Sequence, residues 1–212
     1  AKTITRTVAE EAFTLLKKQG LHYKVLTLTA KEKICFCEEP DCNPEKCPYA
    51  KGHFDRVNDA VFELLTEYEE NPGNYNRDRI MEQAQKWQVC PFEMALDVSL
   101  WSDAIICDYN YVFDPQAKLK RFFSDGVKGD YLFLIDEAHN LVERGREMYS
   151  ATLYKEDFLD VKRFLKPYSR KAVAALERGN KYLLEWKREC EEYTLLSNID
   201  TFALNLFNVS HA

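Results

Sequence analysis

The chain has 212 residues, 46% hydrophobic and 30% charged, with a formal net charge of −6. That is enough for one large domain or two small ones around a real core; no apolar run is long enough to span a bilayer, and no signal-peptide pattern opens the sequence. Net acidity argues mildly against a nucleic-acid partner, but residues 1–34 hold seven Lys/Arg against three Asp/Glu, a balance of +4 that leaves −10 for the rest, so a basic segment is available to face a polyanion.

Ala1-Lys2-Thr3 reads as the end of a strand, and a chain beginning this way is expected to be a piece of a longer protein. Residues 7–19 predict an amphipathic helix with Val8, Phe13, Leu15 and Leu16 as its apolar stripe and Gly20 as its stop. Residues 22–29 are β-rich and partly alternating, which predicts a strand. Residues 35–50, rich in Cys, Pro, Asn and Asp, have no regular period. Such a loop must be held by something other than a core.

Helices are expected over about 55–68, 77–88 and 91–101. Asn71-Pro72-Gly73-Asn74 breaks the first from the second, and Pro91 sits in the first turn of the third. Residues 104–107, Ala-Ile-Ile-Cys, predict a short buried strand. The continuous apolar run Tyr-Leu-Phe-Leu-Ile at 131–135 predicts a central parallel strand buried on both faces. Past residue 150 the pattern turns helical and charged, with helices expected over 155–165, 169–196 and 199–207.

Asp136-Glu137-Ala138-His139 follows that apolar run. In open parallel sheets, ligands sit beyond the carboxyl ends of the strands. An Asp there can hold Mg²⁺ beside nucleotide phosphates, the adjacent Glu can orient or deprotonate the attacking water, and His139 can relay between nucleotide and nucleic-acid sites. The plainer alternative makes Asp136 the N-cap of the next helix. No G-x-x-x-x-G-K-[ST] phosphate loop occurs in these residues, so the chain by itself is expected not to turn over ATP.

Five of the seven cysteines lie between Cys35 and Cys90. Without a secretory pattern, such clustering points to metal binding rather than a disulfide scaffold. Cys35, Cys42, Cys47 and Cys90 form the leading ligand set, with Cys37 as the alternative first ligand. Cys47-Pro48-Tyr49 and Cys90-Pro91-Phe92 repeat a Cys-Pro-aromatic pattern. Four thiolates suit a [4Fe–4S] cluster or a structural Zn²⁺; the lack of paired C-x₂₋₄-C knuckles tilts the choice toward iron–sulfur. His53 is within reach as a zinc ligand but reads more plainly as a helix-start or surface residue. Cys107 reads as a small buried hydrophobe and Cys190 as a free thiol.

Taken together these pieces resemble the iron–sulfur-containing helicases of the xeroderma pigmentosum group D and DinG type in superfamily 2. The resemblance rests on Thr29 to Cys35, on Cys47-Pro48-Tyr49 and Cys90-Pro91-Phe92, on Ser102 to Pro115 with its Tyr109-Asn110-Tyr111, and on the Asp-Glu-Ala-His box. It runs from residue 1 to about 145. It implies an α/β fold: a partial parallel-sheet motor domain (1–34 and 102–148), an iron–sulfur insertion (35–101) and an incomplete helical, arch-like lobe (149–212). It further implies an ATP-dependent 5′→3′ DNA helicase of repair or replication, using Mg²⁺, ATP and a [4Fe–4S] cluster. Asp136, Glu137 and His139 would be catalytic, and the phosphate loop would lie before Ala1. The partners would be single-stranded or forked DNA, with no membrane. The setting would be intracellular, cytoplasmic or nuclear, and the protein a monomer. Lys2, Thr3, Lys31 and Lys33 would meet DNA phosphates, and Tyr109 and Tyr111 would stack on bases. The competing reading is a non-enzymatic module stabilised by zinc or a cluster, binding nucleic acid or a protein.

Overall fold

Residues 3–70, 73–124, 126 and 129–211 are described by a computed structural model. They divide into two units, Ala1–Met148 and Tyr149–Ala212.

The first unit is built around a two-stranded parallel sheet. Strand β1 (Val25–Thr27) pairs with β2 (Ala104–Ile106) in the register Val25 to Ala104, Leu26 to Ile105 and Thr27 to Ile106. The other edge of β1 is taken by Tyr75, whose amide and carbonyl bond Val25 O at 2.8 Å and Thr27 N at 2.9 Å. With both edges filled and all three residues buried, β1 is central, as its Val-Leu-Thr composition allows.

Helices α1 (Thr3–Lys18) and α2 (Lys31–Ile34) flank β1 in sequence. Between β1 and β2 the chain then makes α3 (His53–Glu70), α4 (Arg77–Trp87) and α5 (Pro91–Ser99). Val57, Ala60, Val61, Leu64 and Tyr68 recur at helical spacing along α3 and are all buried, packing with Ile80 and Ala84 of α4 and Met94, Ala95 and Val98 of α5. Asn76 caps α4 by accepting from Arg79 N at 3.0 Å, and Gln88 ends it in the left-handed conformation at φ 51°. Short helices α6 (Asn110–Phe113) and α7 (Lys120–Phe123) follow β2, and α8 (Leu141–Met148) closes the unit.

Three expectations need correction. Helix α1 forms, but Val8, Leu15 and Leu16 are exposed and only Phe13 is half-buried, because no described element covers that stripe. Its first residue, Thr3, is helical rather than the end of a strand; Ala1 and Lys2 lie outside the described residues, as do Asn71 and Pro72 of the expected break. The run 131–135 is not a strand among the described residues. A doubly buried parallel strand needs a neighbour on each edge. Here β1 is already filled and 131–135 does not pair with β2. Leu132 and Leu134 are accordingly 88% and 87% exposed, while Tyr131 and Phe133 rest their rings on Phe123 at 5.6 and 6.1 Å.

The second unit is three helices: α9 (Lys155–Leu165), α10 (Arg170–Glu189) and α11 (Asp200–Ser210). Ser169 caps α10 by accepting from Ala172 N at 3.2 Å. Helix α10 ends seven residues before the predicted 196. Phe158, Leu176 and Phe202 form the small core, joined by Tyr182 and Trp186. Asn205 is buried beside it, donating to Ala175 O at 2.9 Å and accepting from Arg178 Nε at 3.2 Å, so its burial is compensated. No helix of the described residues is long and apolar enough to cross a membrane.

Candidate metal centre and nucleotide-site box

The cysteine loop is built from its polar side chains. Asn43 N donates to Asp41 Oδ1 at 3.1 Å, Glu45 N to Asn43 Oδ1 at 3.0 Å, and Cys47 N to Asn43 O at 2.8 Å. The rings of Phe36 and Tyr49 pack at a tilt with centroids 4.7 Å apart, and Tyr49 donates to Gln85 on α4 at 3.1 Å. These contacts fold the loop back so that Cys37 Sγ lies 4.0 Å from Cys47 Sγ, while Cys35 Sγ accepts from Cys37 N at 3.4 Å. Desolvation, with the thiols of Cys47 and Cys35 beside it, pushes the Cys37 thiol up to about 11.

Cys90 comes from far along the chain. It is half-buried at the N-terminus of α5, and its thiol is near enough to feel the charge of Cys35. Burial raises its pKa, opposed by the first-turn amides of Glu93 and Phe92. Cys42 stands apart: it is exposed, and its sulfur pairs with Lys31, whose ammonium is stabilised as a result. Cys37 therefore meets both Cys35 and Cys47, Cys90 is near enough to Cys35 to feel its charge, and Cys42 is on the exposed part of the loop. The donor chemistry suits a thiophilic metal or cluster. Among the described residues, no three His, Cys, Asp or Glu side chains are already arranged to hold an ion. A metal would have to draw these side chains into one coordination sphere.

His53 starts α3, as the helix-start reading has it, but is not at the surface. It is buried, its Nδ1 accepts from Cys90 N at 3.2 Å, and burial holds its imidazole below the usual value. Cys107 is half-buried just beyond β2, and burial pushes its thiol up to about 11, as a small hydrophobe's environment would.

The carboxylate box forms a turn leading through a short 3₁₀ segment, Ala138–Asn140, into α8. The capping position belongs to Glu137, left-handed at φ 51° and without a side-chain cap bond, so Asp136 is not the N-cap. Glu137 Oε2 lies 3.3 Å from His139 Nδ1, and both side chains are exposed. Asp136 is exposed beside them.

Of the positions implied for DNA, Lys2 lies outside the described residues and Thr3 is the first residue of α1. Lys31 and Lys33 are on α2, the first turned to Cys42 and the second exposed. Tyr109 is half-buried and shares a hydrogen bond with Arg144 on α8. The ring of Tyr111 packs on the core, and burial raises its hydroxyl. Sequence reasoning passed over Arg56 and Arg77. Arg77 donates Nε and Nη2 to Lys33 O at 3.2 and 2.9 Å, two residues before Cys35. Nothing in a helical heptad marks an arginine that will serve distant carbonyls.

An α-rich unit with a small parallel sheet, a cysteine-bearing segment between its strands and an Asp-Glu-Ala-His turn after them is compatible with part of a helicase motor domain. Residues 6–158 match DEAD_2, and the chain belongs to that family. It is 35% identical over 66 residues to a Fanconi anemia group J protein homolog of Gallus gallus, covering 31% of this chain and 5% of that protein. It is 27% identical over 104 residues to the general transcription and DNA repair factor IIH helicase subunit XPD/RAD3 of Saccharomyces cerevisiae, covering 49% of this chain and 12% of that protein. The subunit XPD of the same factor from Dictyostelium discoideum is 25% identical over 118 residues, 56% of this chain and 14% of that protein. The chain is thus an XPD-type member of helicase superfamily 2 that spans a small part of the length of these relatives.

Proposed function

We propose that the chain is the part of an ATP-dependent 5′→3′ DNA helicase, serving repair or replication inside the cell, that carries a [4Fe–4S] centre and half of the nucleotide site. The supporting observation is that Cys37 meets both Cys35 and Cys47 and that Cys90, 42 intervening residues further on, lies near enough to Cys35 to feel its charge, in a loop with little apolar core of its own. The ligands are Cys35, Cys42, Cys47 and Cys90, with Cys37 as the alternative first ligand in place of Cys35. When bound, the cluster supplies a covalent brace for residues 35–90.

The carboxylate of Asp136 holds Mg²⁺ with the nucleotide phosphates. Glu137 orients the attacking water, and His139, paired with Glu137, links this end to the DNA path. The cradle for the γ-phosphate is absent from these 212 residues and comes from elsewhere in the protein. Lys2, Thr3, Lys31 and Lys33 meet phosphates of single-stranded or forked DNA. Tyr109 is the better placed of the two tyrosines to stack on a base, because Tyr111 packs on the core. Residues 149–212 form an arch-like lobe.

Anaerobically purified protein then contains iron and sulfide, and Cys90→Ser loses both together with protection of residues 35–50 from exchange. A variant that keeps its iron would remove Cys90 from the ligand set. Asp136→Asn in the whole helicase abolishes ATP hydrolysis while leaving the cluster absorption unchanged, and retained turnover refutes the Mg²⁺ role.

One observation favours the competing zinc-stabilised module. Two thiolates at 2.3 Å from one tetrahedral zinc stand about 3.8 Å apart, close to the 4.0 Å between Cys37 and Cys47. A colourless preparation with stoichiometric zinc and no iron decides for it.

A further inference from the structure

We propose that Arg56 is a positioning residue for the cysteine centre, holding the segments that carry Cys47 and Cys90 against one another before any metal binds. The proposal rests on the reading of these cysteines as ligands. Arg56 lies on α3, the helix between the two segments. Its Nε donates to Trp87 O at 2.9 Å, and its Nη2 donates to Lys51 O at 2.9 Å and to Gln88 O at 2.7 Å. All three partners are main-chain carbonyls, and each belongs to a segment that carries a cysteine. The Lys51 amide bonds Cys47 O at 3.1 Å, so Lys51 belongs to the Cys47 turn. Trp87 and Gln88 are the last residues of α4 and its left-handed cap, two residues before Cys90.

The chemistry explains why arginine stands here. The last carbonyls of a helix have no intrahelical donors and carry the negative end of its dipole, so a cation there is favoured. A planar guanidinium reaches several carbonyls at once in a fixed fork, whereas an ammonium is a point donor on a flexible stem. Two neighbours are adapted to the same joint. Gly52 has φ +68°, and a Cβ there would stand 2.6 Å from Arg56 Nη1, so the position both tolerates the backbone angle and leaves room for the guanidinium. His53 is buried and accepts the Cys90 amide. Gly52, His53 and Arg56 thus act on one joint, and the Arg56 guanidinium bonds main-chain carbonyls of both cysteine segments.

The test uses Arg56→Gln and Arg56→Lys in the full chain, with Tyr68→Phe as a control. Tyr68 donates to Tyr23 O at 2.6 Å from the far end of the same helix, so its loss weakens the unit away from the cysteines. After anaerobic reconstitution with Fe²⁺ and sulfide, both arginine variants lose iron to a chelator about tenfold faster than the wild type, on the scale of losing an outer-shell support. Tyr68→Phe loses it at the wild-type rate. Unchanged iron loss in Arg56→Gln, or equal acceleration in Tyr68→Phe, overturns the proposal. Without metal, amide exchange of the peptide spanning residues 88–92 is about tenfold faster in Arg56→Gln than in the wild type, as expected when a local restraint on opening is removed. A wild-type chain that takes up no iron refutes the cluster reading alone. The exchange comparison then decides the clamp, and equal rates refute it.

Discussion

Replacing Gly179 by alanine opposes two effects of known size. Gly179 lies inside α10, where alanine is favoured over glycine by about 1 kcal/mol. Its added methyl would stand 2.7 Å from Phe158 Cε1, 3.2 Å from Phe158 Cδ1 and 3.1 Å from Asn205 Nδ2. Carbon pairs rest at about 3.5–4.0 Å, so the ring must retreat by roughly 1 Å. It has little room, because Phe158 packs on Phe202, which also meets Trp186 at 5.0 Å and Tyr182 at 6.2 Å. Overpacking of this kind costs about 1–3 kcal/mol. The clash outweighs the propensity gain, with a net loss of about 1 kcal/mol and a fall in melting temperature of about 4–8 °C for a unit of this size. Calorimetry or denaturant unfolding reads it directly. Gly145 in α8 is the control: nothing lies within 4 Å of its would-be Cβ, so Gly145→Ala slows amide exchange in α8. A Gly179→Ala chain that melts higher than the wild type would refute the close approach of α9, α10 and α11 at this point.

Tyr75→Phe is expected to stabilise the first unit by about 1 kcal/mol, because the buried hydroxyl has no hydrogen-bond partner among the described residues and burial pushes it up to about 12; a lower denaturation midpoint contradicts this. Glu63 accepts from Trp87 Nε1 at 2.6 Å and Gln83 Nε2 at 2.9 Å and pairs with Lys86 at 2.9 Å. The Trp87 donor, then Lys86 and Gln83, lower its carboxyl from 4.5 to about 2. Its contribution is complete above pH 4.5 and fades as the pH falls from 4.5 toward 2, so urea midpoints drop across that window in the wild type and less in Glu63→Gln; parallel pH profiles refute the network. Stripping iron from the reconstituted protein is expected to raise exchange in residues 35–50 while leaving β1 and α3 protected, and equal exchange before and after removes the brace role.

Much of the helical frame was legible in the sequence, and for a local reason. Helices α3, α4 and α5 carry their own signals: apolar residues at helical spacing along 55–68, the break at residues 71–74 before α4, and Pro91 in a first turn. The strands at Val25–Thr27 and Ala104–Ile106 were legible from their apolar, β-branched composition. The run 131–135 shows the limit of such reading. Its composition is that of a buried strand, yet a strand exists only where neighbours supply its edges, and composition does not reveal whether they are present. The stripe of α1 failed for the same reason, since a helix can form from its own spacing while its covering partner lies elsewhere.

Sequence by itself determined the chemistry on offer: thiols in a loop without a core, two carboxylates and an imidazole in a row, and an ordered set of motifs belonging to DEAD_2. Only the tertiary structure decided which groups meet. It set Cys37 against Cys47, left Cys42 with Lys31, turned His53 inward to the Cys90 amide, and joined Lys51 to Gln88 through Arg56. Residue type and spacing fix what a side chain can do, but contacts between residues 30 to 50 positions apart depend on how α3, α4 and α5 pack, and that packing is a property of the whole core.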